Sequence, residues 1–192
     1  MGGMVASRLA LMFPEHVLSL SLVNPIGLED WKTVVPYQTV NDWYLQSLNQ
    51  TPDDIKDYQQ KAYFDGDWED EYYENMVPLA GWAIGPDKER MAWLSALTYD
   101  MIFTQPVMYE FYQLNMPTHL IIGTRDRTAL GRNLVEDEAV RETLGRYDKL
   151  GAKVKDMIPN ASLTTFDDIG HMPQVEIFNE YIDALTAFIK SH

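Results

Sequence analysis

The sequence predicts an α/β fold in which parallel strands with flanking helices are interrupted by an all-helical insertion. Three observations carry this reading. A short, mostly apolar run from Val17 to Val23 follows directly on a helix and ends at Asn24-Pro25, the pattern of a strand buried on both faces. The same signature returns at Pro117 to Gly123 and at Leu163 to Phe166. Between the first and second runs, from about Glu29 to Phe103, no comparable strand appears, while Trp, Tyr and Met are dense.

The elements follow in order. Gly2-Gly3 opens a helix in which Val5, Leu9 and Met12 fall at helical spacing, and Pro14 closes it. A glycine pair at a helix mouth lets neighbouring backbone come close, because no Cβ intervenes. The strand at 17–23 comes next, and then an insertion over 29–104 that reads as about four helices. One helix start is marked by Thr51, which can cap, by Pro52 at the first helical position, and by Asp53 and Asp54 at the positive end of the dipole. A second start is Gly85-Pro86-Asp87, leading into Met91, Leu94, Leu97 and Met101. The last helix, Ile177 to Ile189, lines up Ile177, Tyr181, Leu185 and Phe188 on one face. Residues 1–28 and 105–192 are therefore expected to form the core, with the three strands as neighbours in one sheet.

Composition excludes several function classes. The chain of 192 residues carries 29 acidic against 15 basic side chains, a formal charge of −14 without a long acidic tail. Nucleic acid is excluded as a partner, since phosphate binding draws on clustered Lys and Arg. There is no Cys, hence no disulfide and no thiolate chemistry. Apolar runs fall short of the roughly 18 residues of a membrane span. No secretory signal pattern opens the sequence, so its compartment is unassigned, with the cytoplasm as the default. No motif for a metal or an organic cofactor is present.

In open α/β sheets, sites gather just past the carboxyl ends of parallel strands. Gly123-Thr124-Arg125-Asp126 follows the second strand, and Asp167-Asp168-Ile169-Gly170-His171 follows the third. An Asp and a His presented in this way suit general-base catalysis, in which the carboxylate orients the imidazole and the imidazole takes a proton from a hydroxyl nucleophile. Each residue alone has a plainer reading, Asp126 as a turn residue and His171 as a loop histidine. His119, at the start of a strand, reads as structural, and His16 and His192 have no supporting pattern. Asp167 and Asp168 lie too close to His171 in sequence to reach its far nitrogen. The aromatic and Met content of the insertion fits a helical core or a lid over an apolar pocket equally well.

In order and separation, Met1-Gly2-Gly3, the strand ending at Pro25, Gly123-Thr124-Arg125-Asp126 and Gly170-His171 resemble the C-terminal part of an α/β-hydrolase-fold enzyme with a helical cap. The resemblance covers essentially the whole chain, and its specificity lies in the ordered set. In that family the nucleophile elbow reads G-x-S-x-G, with the acid and the His following in chain order. Met1-Gly2-Gly3 matches the end of the common form G-H-S-M-G-G. The resemblance implies Asp126 as triad acid, His171 as base, and Met1 as the residue whose backbone N–H joins the oxyanion hole. It implies cofactor-free hydrolysis of an ester or similar acyl bond. Relatives with an Asp nucleophile, such as haloalkane dehalogenases and epoxide hydrolases, typically have Trp after it, so Met1 favours Ser. Epoxide-hydrolase-like and proline-iminopeptidase-like members remain the alternatives. Cap residues including Trp31, Trp43, Trp82, Trp93, Tyr99, Met101 and Phe103 imply a small apolar acyl or alkyl substrate.

The departure from the family is at the start. The serine position falls immediately before Met1, and Ser7, two turns into the helix, cannot replace it. As a first residue, Met1 carries an ammonium where the elbow needs an amide. The expectation is a partial α/β-hydrolase fold that alone hydrolyses esters negligibly. Its competitor is a non-catalytic fragment or interaction module, self-associating through a sheet edge left open.

Overall fold

In the computed structural model, which describes residues 1–192, three parallel strands form one sheet in the order β1 (Leu20–Val23), β2 (Thr118–Gly123), β3 (Ala161–Phe166). Leu22 lies beside Leu120, and Leu120 beside Leu163. β2 is buried along its whole length because it is central and covered on both faces. β1 alternates buried and partly exposed residues, and β3 is only partly covered. The first strand is shorter than the sequence suggests. Pro14–His16 forms a 3₁₀ turn and Leu18 is 85% exposed, so pairing begins only at Leu20.

Before the sheet stands α1 (Gly2–Met12), which packs against β1. The helix forms where expected, but its Val5, Leu9 and Met12 stripe faces outward, at 52%, 53% and 61% exposure. Met4, Ser7 and Ala10 face inward instead. Small side chains on that face let the helix sit close to the sheet, and a Cβ on Gly3 would come within 2.5 Å of the Pro25 Cβ.

Four helices separate β1 from β2: α2 (Val40–Asn49), α3 (Pro52–Ala62), α4 (Asp70–Ile84) and α5 (Lys88–Thr104). Helix α2 packs on α5, and α3 on α4. Thr39 and Thr51 each close a full capping box, with Asp42 and Asp54 as the reciprocal acids. The Gly85-Pro86-Asp87 start leads into α5 as expected, with Asp87 at its N-cap making no side-chain capping bond.

After β2 come α6 (Glu138–Arg141) and α7 (Tyr147–Lys155), and after β3 come α8 (Pro173–Glu176) and α9 (Phe178–Ser191). The main core runs from Met4 and Leu22 through Leu120 and Ile122 to Leu150 and Val154, and takes in Trp31, Ile102 and Phe103 from the helical segment. Phe188 of α9 is buried beside His119, with ring centroids 4.8 Å apart. The carboxyl ends of all three strands thus open on the side that the helical segment approaches, and the charged loops converge there.

Candidate active site

The loops after β2 and β3 are tied together by backbone. Thr124 N–H donates to the Phe166 carbonyl at 3.0 Å and Arg125 N–H to that of Ile169 at 2.9 Å. Gly123 is pressed so closely on the Ile169 and Gly170 carbonyls that a Cβ there has no room. This turn delivers Asp126 into the interior with no exposed surface.

An isolated buried carboxylate is costly unless its oxygens are bonded, and every partner Asp126 needs is present. Oδ1 accepts the Thr128 N–H at 2.8 Å. Oδ2 accepts from Asn24 Nδ2 at 2.7 Å and lies 2.6 Å from His171 Nδ1. A carboxylate can only accept, so Nδ1 carries the proton and Nε2 is left as the basic nitrogen. Thr128 Oγ1 lies 3.3 Å from the same Nδ1.

Asn24 closes the arrangement from the end of β1. Its φ of 37° lies in the left-handed region, which Asn tolerates better than most residues. There its Oδ1 accepts the Gly123 N–H at 2.7 Å while Nδ2 reaches Asp126 and, at 3.2 Å, the Gly170 carbonyl. One buried amide thereby joins the ends of all three strands.

The remaining contacts come from outside the sheet. His171 N–H donates to the Tyr63 carbonyl at 2.8 Å, and the Tyr63 ring stacks on the imidazole, with centroids 4.3 Å apart and planes 29° apart. Desolvation, with the Asp126 charge adding to it, pushes the Tyr63 hydroxyl up to about 12. Glu176 accepts the Gly170 N–H at 2.9 Å and pairs with Arg125. Burial raises the Glu176 carboxyl, and the Arg125 charge opposes that rise.

His171 stands in the wall of a cavity of about 410 Å³, mostly apolar, which Met1, Tyr63, Trp31, Trp82 and Tyr99 also line. A second cavity of about 460 Å³ adjoins it, sharing Tyr58, Tyr99 and Leu130. Met1 caps α1 through its carbonyl, which accepts from Met4 and Val5, and burial lowers its α-amino group. Of the other residues singled out from the sequence, Trp43 borders the second cavity, packed on Tyr99 at 5.0 Å. Trp93 is not brought to either cavity; it is 46% exposed, edge-on to Tyr44. Met101 lines a groove with Val5 and Leu9 of α1, and Phe103 is buried in the core against Tyr37.

His119 Nε2 lies 2.9 Å from Thr164 Oγ1, and burial lowers its pKa. Ser7 is buried in α1 with no partner for its hydroxyl. Asp167 and Asp168 are exposed. No three His, Cys, Asp or Glu side chains cluster as metal ligands, and no helix is long and apolar enough to cross a membrane. Sequence reasoning missed Asn24, Tyr63, Thr128 and Glu176. Only Asn24 left a signal, a polar residue closing an apolar strand, which also reads as a simple turn.

No family model matches the chain, and no curated protein matches it. Among solved structures, a probable hydrolytic enzyme from Pseudomonas aeruginosa PAO1 is 45% identical, with a TM-score of 0.93 over 97% of this chain and 60% of that one. An N-acyl homoserine lactone degrading enzyme is 21% identical, with a TM-score of 0.61 over 97% of this chain and 64% of that one. The enol-lactonase from Burkholderia xenovorans LB400 is 16% identical, with a TM-score of 0.61 over 99% and 63%. The chain thus spans 60% of the length of the Pseudomonas protein, and the two more distant structures share its fold. High identity along nearly the whole chain, on a sheet that the distant structures also superpose on, places it in the α/β-hydrolase-fold superfamily.

Proposed function

We propose that the chain supplies the acid and the histidine of a hydrolase that cleaves an ester or similar acyl bond. The observation that carries this is a fully buried Asp126 held 2.6 Å from His171 Nδ1, with the imidazole in the wall of a mostly apolar cavity. In this reading a serine hydroxyl attacks the acyl carbon and its proton passes to His171 Nε2. Asp126 stabilises the imidazolium, and backbone amides, that of Met1 among them, face the oxyanion. Collapse expels the alcohol, which takes the proton from His171. Water then repeats the sequence on the acyl-serine and releases the acid.

Residues 29–104 act as the cap, and Trp31, Trp82 and Tyr99 form the apolar wall against a small acyl or alkyl group. The reading puts the nucleophile immediately before Met1, so turnover belongs to a chain carrying that residue, and the 192 residues alone hydrolyse esters negligibly. The test joins the chain to the residues encoded directly upstream of Met1 and measures hydrolysis of a short-chain p-nitrophenyl ester. Activity in the extended chain that His171→Ala abolishes is the expected result. An upstream frame lacking Gly-x-Ser, or a His171-dependent rate from the 192 residues alone, refutes the reading.

A second reading, an interaction module, draws on β1, which pairs with β2 alone and leaves its other edge open. Size-exclusion chromatography decides it: a monomer at every concentration excludes association through that edge.

A further inference from the structure

The four-helix segment does more than wall the cavity. We infer that the Ala62–Tyr63 turn at the end of α3 is a positioning element for the acid and the histidine, a role that rests on the hydrolase reading for its purpose. Contacts from this one turn reach both site loops. The Ala62 carbonyl accepts the Arg127 N–H at 3.0 Å, one residue past Asp126, and the Tyr63 carbonyl accepts the His171 N–H at 2.8 Å. The Tyr63 ring stacks on the imidazole with a 29° tilt between the planes. Four residues on, Asp67 holds Arg125 at 2.7 Å, and Arg125 in turn pairs with the Glu176 that accepts the Gly170 N–H.

The approach is close enough to dictate a residue: a Cβ on Gly170 would collide with the Tyr63 carbonyl, so the glycine before His171 is required by the helical segment. Geometry explains why two supports are needed. Asp126 fixes Nδ1, yet the imidazole can still swing about its Cβ bonds, and Nε2 moves most when it does. A ring stacked on the imidazole face fixes the plane that the carboxylate leaves free. The same aromatic face favours the cation that forms when Nε2 takes a proton. The phenol makes no hydrogen bond in this arrangement, so the flat ring is the part that matters.

The experiment follows two protons in the 192-residue chain: the downfield imidazole Nδ1–H resonance of His171 and the exchange of its backbone amide. Tyr63→Phe leaves both unchanged. Tyr63→Leu broadens the imidazole resonance and speeds His171 amide exchange about tenfold, while the amide of Ile121 in β2 is unaffected. Unchanged His171 signals in Tyr63→Leu, or equal acceleration at Ile121, overturn the inference. If Tyr63→Leu does not fold, the wild-type chain still answers. The Arg127 and His171 amides should share one opening free energy with the Tyr63 and Phe64 amides at the end of α3, and unrelated values overturn the inference. None of these signals depends on turnover, so an extended chain that hydrolyses nothing refutes the hydrolase reading while leaving this result to stand or fall separately.

Discussion

Replacing Asn24 by Ala removes one small side chain and strands several groups at once. Gly123 N–H loses the Oδ1 to which it donates at 2.7 Å, and Asp126 Oδ2 loses a donor at 2.7 Å in a site without solvent. The Gly170 carbonyl loses its 3.2 Å contact, and Ala must adopt a φ of 37° that Asn tolerates more easily. A stranded buried donor costs about 1–3 kcal/mol and a lost bond to a charged group a comparable amount. Together these put the loss at about 3–5 kcal/mol, an exceptional value for a point change. With a urea slope of about 1–3 kcal/mol per molar, the unfolding midpoint should fall by roughly 1–5 M. Asn24→Asp separates geometry from charge, because it keeps shape and backbone tolerance but sets a second carboxylate against Asp126. The pair then holds a proton, so the folded-state pKa rises above the unfolded value. A raised acid contributes stability that is present below about pH 4 and lost as pH climbs through the folded pKa, so this variant should approach wild type in acid and fall away toward neutrality. Urea titrations at pH 4 and pH 7 read both effects. A midpoint shift under about 0.5 M for Asn24→Ala, or a pH-independent deficit for Asn24→Asp, would refute the claim that this amide holds the three strand ends together.

Two further outcomes follow from the same packing. Gly170→Ala should destabilise by about 1–3 kcal/mol through its clash with the Tyr63 carbonyl, lowering the thermal midpoint by roughly 2–4 °C per kcal/mol; an unchanged midpoint shows that the turn yields freely. Burial raises the Glu29 carboxyl despite bonds from Gly145 N–H and Trp31 Nε1–H. Such a group contributes stability below its unfolded pKa that is lost as pH rises through the folded one. Glu29→Gln should therefore gain on wild type between about pH 4.5 and neutrality in paired denaturation curves, and a constant difference across that range counts against burial as the cause.

The sheet and the acid–histidine pair were legible because they rest on local grammar: apolar runs ended by turn residues, with charged groups one turn beyond. Thr51-Pro52 announced α3 for the same reason. The outward stripe of α1 was not legible, since periodicity reveals a face without saying what covers it, and here Ser7 and Ala10 face the sheet. Tyr63 was hidden because nothing near it in sequence points to a histidine reached only through the tertiary fold. Asn24 looked like punctuation because the groups it satisfies are backbone atoms and one carboxylate, all far along the chain. Met101 and Phe103 share a composition with the cavity wall, and only packing separates a residue that faces it from one turned into α1 or the core.

Asn24 reaches partners 99, 102 and 146 residues away. Contacts that close such long loops form only after the intervening chain has been ordered, because their entropic cost must be met first. Docking β1 on β2 closes a loop of the same length, since Leu22 pairs with Leu120, whereas β2 and β3 pair across a much shorter stretch. Completion of the Asn24 network around Asp126 is then a late folding event, simultaneous with the docking of β1. Chains stalled before it would have native-like helices and a β2–β3 pair, with β1 undocked and Asp126 without its Asn24 donor.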